Sequence, residues 1–93
     1  MIYRFEFVEG TDMKQVEDTV SLAILAAGCM CGEARIRLCV SYACSHEKRS
    51  VVIQAIDDGE SVLMLFVGFC SHEYGSESFK VARLSEHPDL EKP

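Results

Sequence analysis

Ser61-Val62-Leu63-Met64-Leu65-Phe66-Val67-Gly68-Phe69-Cys70 is a continuous apolar run, and whether it is strand or helix decides the fold. Periodicity alone does not separate a buried strand from a buried helix over so short a stretch. Asp58-Gly59, just before it, is a hairpin-turn dipeptide and argues for a strand. The composition argues the other way. Leu, Met and Phe outnumber β-branched residues, and Val62, Leu65, Phe66, Phe69 and Cys70 recur at three- and four-residue spacing that Tyr74 extends. Asp57 with Glu60 makes an N-cap pair and Gly75 supplies a stop, so a helix over 61–74 is the better reading.

Outward from that run the elements follow. Ser50–Ile56 is rich in β-branched residues and reads as a strand; residues 34–43 alternate, with Ala34, Ile36, Leu38, Val40 and Tyr42 on one side and Arg35, Arg37, Cys39 and Ser41 on the other. The polar segment Cys44 to Arg49 joins these two strands into an expected hairpin. Residues 2–8 form a first strand in which Tyr3, Phe5 and Phe7 alternate with Arg4 and Glu6. Between them, Thr11 and Asp12 are N-cap types, with Asp12 and Gln15 in capping-box spacing. Met13, Val16, Val20, Ile24 and Ala27 then predict a helix that Gly28 would end. Phe79 to Leu84 is a last strand.

The order is β-α-β-β-α-β, which resembles ferredoxin-like domains over residues 2–84. The resemblance implies an α+β split βαβ fold with two helices on one face of a four-stranded antiparallel sheet. Neither the glycine-and-arginine loop of acylphosphatases nor the Met-x-Cys-x-x-Cys loop of heavy-metal-associated domains is present. Residues 1–84 are thus expected to be one domain, and 85–93, polar and bearing Pro88 and Pro93, a flexible tail.

The chain has 93 residues, 48% of them apolar, with six glycines and two prolines. That composition suits one small globular domain and excludes a disordered or low-complexity chain. Fifteen acidic against nine basic residues give a net charge of −6, which argues against binding nucleic acid through the overall field. No apolar run approaches the ~18 residues of a membrane span, and MIYRFEFVEG lacks the apolar core of a signal peptide. With five cysteines, an odd number, reduced thiols and a cytoplasmic location are expected.

In this arrangement Tyr3, Phe5 and Phe7 face the helices, and Arg4, Arg35, Arg37 and Lys80 gather on the open sheet face with Glu6. A basic open face could take an anion or nucleic acid, but it carries no aromatic ring on which a base would stack. The helix over 61–74 is apolar nearly all round, with Leu63, Met64 and Val67 on the side away from Val62, Phe66 and Phe69. An exposed apolar strip of this kind marks an interface, so a homodimer or a protein partner is the leading expectation.

Cys-Ser-His-Glu occurs twice, at Cys44–Glu47 and Cys70–Glu73. Two cysteines and two histidines suffice for tetrahedral Zn²⁺, which makes Cys44, His46, Cys70 and His72 a candidate ligand set and metal or thiol chemistry the alternative function. Cys29-Met30-Cys31 lacks the two-residue spacer of thioredoxin-type redox motifs. There is no glycine-rich phosphate loop, oxyanion element or paired carboxylate site, so a non-catalytic domain is expected.

Overall fold

The computed structural model describes residues 1–84. The expected tail at 85–93, with His87, lies outside the described residues. The described residues form a mixed α+β fold with one four-stranded antiparallel sheet and three α-helices. In chain order the elements are β1 (Ile2–Phe7), α1 (Met13–Cys31), α2 (Glu33–Cys39), β2 (Val40–Ser45), β3 (Ser50–Ala55), a 3-10 turn at Asp57–Gly59, α3 (Glu60–Tyr74) and β4 (Phe79–Leu84). Across the sheet the order is β2-β3-β1-β4, so β1 and β3 are central and β2 and β4 are its edges.

The helical reading of 61–74 holds within a residue, and Gly75 ends α3 at φ 89°, its N–H donating to the Ser71 carbonyl at 3.0 Å. Asp58-Gly59 therefore does not turn a hairpin; it lies in the 3-10 turn that leads into α3. Phe5 meets Phe66 of α3 edge-to-face at 4.8 Å between ring centroids, and Phe7 packs against Phe79 and Tyr74. Each such ring fully buried contributes roughly 1.5–3 kcal/mol. Tyr3, Phe5 and Phe7 do lie on the helix-facing side, since Phe5 pairs with buried Val51 and Phe7 with buried Phe79.

Asp12 caps α1, accepting from the backbone N–H of Lys14 and Gln15 at 3.0 and 3.4 Å. The helix does not stop at Gly28. It runs to Cys31 and ends at Gly32, whose φ of 101° only glycine adopts without strain. Gly28 serves a different purpose: a side chain there would sit 3.4 Å from the Glu33 Cα, so its absence lets the start of α2 lie against α1.

The largest departure from the sequence reading is at 34–43. Residues 33–39 are helix, and the strand begins only at Val40. Ile36 is fully buried beneath α2, while Leu38, expected to point inward, is 83% exposed. Arg35 and Arg37 thereby leave the sheet. Arg35 Nε pairs with Asp58 Oδ2 and Arg37 with Glu33, one helical turn away, at 2.7 Å. The hairpin of β2 and β3 forms, turning through residues 46–49.

Candidate functional site

The register places Arg4, Val52, Ala43 and Ala82 in one row of the open sheet face, with Glu6 and Lys80 in the next. Among the candidates for a basic face only Arg4 and Lys80 remain, and Arg4 Nε lies 3.9 Å from Glu6 Oε1. The expected cluster of four cations is thus corrected to two, one of them beside a carboxylate, because Arg35 and Arg37 belong to α2.

The helix side has a more distinctive feature. Among the described residues α3 leaves part of β4 uncovered, and an apolar groove of about 440 Å³ runs between them, lined by Tyr3, Leu63, Met64, Val67 and Val81 together with the charged Glu60. Met64 is 77% exposed, Val67 37% and Val81 46%. Leu63, grouped with Met64 and Val67 by the sequence, is instead buried and belongs to the core. Val81 is not one of the residues expected at the interface, Leu63, Met64 and Val67. It lies on the helix-facing side, opposite Phe5, and only the position of α3 shows that part of β4 is left bare among the described residues.

The two Cys-Ser-His-Glu copies fare differently. In the first, Cys44 is on the helix-facing side of β2, opposite buried Val51, and His46 follows two residues later at the start of the turn. In extended backbone, residues two apart share a face. In the second, Cys70 and His72 lie on α3, where residues two apart diverge; Cys70 is fully buried and His72 is exposed. Among the described residues the one group of three potential ligands lying within 4.8 Å is Glu17, Cys44 and His46. The expected set of Cys44, His46, Cys70 and His72 is therefore not assembled, and Glu17 of α1, which sequence spacing does not nominate, lies beside Cys44 and His46 instead.

Burial, and then the negative charge of Glu17, push the Cys44 thiol above its ordinary value. The Cys70 thiol is pushed up to about 12, by burial first and Glu73 second, and is inert at neutral pH. Cys29 is exposed and Cys31 half-buried at the end of α1, and all five cysteines are free thiols.

Among the described residues these features define a small α+β domain with an exposed apolar strip at one sheet edge and a thiol–imidazole–carboxylate cluster near the other. No protein-family model matches the chain, and no curated protein or solved structure matches it. Among the described residues no helix is long and apolar enough to cross a membrane.

Proposed function

We propose that this protein works by association, not catalysis, and that its partner is a second copy of itself joined along β4. The observation that carries the proposal is the groove of Met64, Val67 and Val81 beside β4, an edge strand whose outer side is unpaired among the described residues. An exposed edge is a template for another strand, and an apolar patch next to it favours the pairing.

The sequence of β4 is compatible with pairing to itself. In a two-fold antiparallel pair with both sets of helices on one side, facing residues must have the same parity. Centring the axis on Lys80 would oppose two lysines, which is unfavourable. Centring it on Val81 sets Lys80 opposite Ala82 and Phe79 opposite Arg83, with no like charges facing, and brings the two grooves together across the axis. The strand order, β2-β3-β1-β4, supports a ferredoxin-like reading in which two β-α-β units interleave and α2 is an addition to the first.

Sedimentation velocity tests the association. The dimer is expected at micromolar concentration, and Val81→Lys, which places two ammonium groups at the axis, is expected to give a folded monomer. A wild-type chain that stays monomeric up to millimolar concentration overturns the proposal, as does a Val81→Lys variant that dimerises like wild type.

A further inference from the structure

We propose that Glu17, Cys44 and His46 form a three-residue site for a divalent, thiolate-accepting cation, Zn²⁺ above all, with the fourth position open to water or a small ligand. The three potential ligand atoms come from three segments, α1, β2 and the β2–β3 turn, and lie within 4.8 Å of one another. His46 Nε2 is already 3.5 Å from Glu17 Oε1. With Zn–S near 2.3 Å and Zn–N or Zn–O near 2.0–2.2 Å, ligand atoms on a tetrahedron stand roughly 3.3–3.8 Å apart. The three atoms, all within 4.8 Å of one another, are no more than about 1.5 Å from that spacing.

The donor set selects the ion. A thiolate disfavours Mg²⁺ and Ca²⁺, which take oxygen ligands, whereas sulfur, imidazole and carboxylate together suit Zn²⁺. Binding converts the Cys44 thiol to thiolate with release of its proton; burial and Glu17 keep that proton in place until the cation arrives.

The turn that presents His46 is tied down. The Lys48 N–H donates to Ser45 Oγ at 3.2 Å, and the Arg49 N–H to the His46 carbonyl at 3.4 Å. Arg49 Nε also donates to the Phe7 carbonyl at 3.3 Å, while the Phe7 N–H donates to the Arg49 carbonyl at 2.8 Å, so the hairpin end is fastened to the end of β1. A site whose ligands are held by the fold loses less entropy on binding. The cation would in turn clamp the turn and β2 to α1. This site adjoins β2, the edge opposite β4, and stands apart from the association face.

The test is a zinc titration of the metal-free 93-residue chain, followed by calorimetry and native mass spectrometry. One equivalent is expected, and Glu17→Gln, Cys44→Ser and His46→Gln should each weaken binding by at least about tenfold, with Cys29→Ser and His72→Gln binding as wild type does. Cobalt substitution should give a thiolate charge-transfer band that Cys44→Ser abolishes, and zinc should protect Cys44 of the wild-type chain from alkylation, a readout that needs no variant to fold. Absence of zinc binding, unprotected Cys44, or binding lost in Cys29→Ser or His72→Gln but retained in Cys44→Ser would each overturn the proposal. Because Val81→Lys should bind zinc unchanged, loss of the dimer and loss of the metal site are separately visible.

Discussion

Replacing Gly59 by alanine should destabilise the protein, although alanine is ordinarily the better helix former. Gly59 has φ −64° and ψ −19°, a conformation open to any residue, so its backbone gives no reason for glycine. The reason is proximity. A Cβ at this position would overlap the carbonyl oxygen of Cys39, and would stand 2.8 Å from the Cys39 carbonyl carbon and 3.0 Å from its Cβ. The obstructing atoms are mostly backbone and cannot swing aside. That same carbonyl accepts the Ile56 N–H at 2.9 Å, the hydrogen bond that seats the end of α2 on the segment leading into α3. Overpacking costs about 1–3 kcal/mol, and loss of the hydrogen bond about 1 kcal/mol. Alanine returns up to about 1 kcal/mol through propensity and a less disordered unfolded chain, leaving a net loss of about 1–3 kcal/mol. For a domain of this size that lowers Tm by roughly 5–20 °C. Thermal and urea unfolding measure the loss, and hydrogen exchange locates it, with faster exchange expected at the Ile56 amide before any change at the Phe66 amide. A Gly59→Ala protein as stable as wild type would refute the close approach of Cys39, and with it the placement of α2.

The opposite sign is expected at Gly68, where a Cβ would meet nothing within 4 Å on an exposed turn of α3: Gly68→Ala should stabilise by about 0.5–1 kcal/mol, read as a rise in urea midpoint. Cys70 makes stability depend on alkaline pH. Its thiol, at 9.0 when unperturbed and about 12 in the fold, stays protonated while the unfolded chain ionises. Its contribution is therefore complete below about pH 9 and lost as pH rises toward 12; urea unfolding between pH 8 and 11 should show that decline, and Cys70→Ala should flatten it.

The strands β1, β3 and β4 and the long helices were legible because each has enough residues for its period to show. The segment 33–39 was not, for a reason that lies in the arithmetic of the two periods. Ile36 and Val40 are four residues apart, and residues four apart share a face in a strand and in a helix alike. Only Leu38, between them, distinguishes the two: inward for a strand, outward for a helix, and it is 83% exposed. An exposed leucine breaks the hydrophobic pattern that sequence reading depends on. A strand over 34–43 would also carry Arg35 and Arg37 onto a sheet face that, as residues of α2, they do not reach.

The candidate cation site shows the same limit from the other direction. One tetrapeptide written twice gives two outcomes because backbone geometry, not spacing, determines which side chains converge. At Cys44 and His46 the chain is extended and then turns, so thiol and imidazole fall on one side; at Cys70 and His72 the helix sends one into the core and the other into solvent. The pattern could nominate both pairs but could not choose between them without knowing the element each occupies. Glu17 was beyond reach on any such count, because it lies 27 residues before Cys44 in the chain and comes to it only through the packing of α1 on the sheet. The third donor of such a cluster is a property of the tertiary fold, set by where α1 brings Glu17 relative to β2 and the turn that follows it.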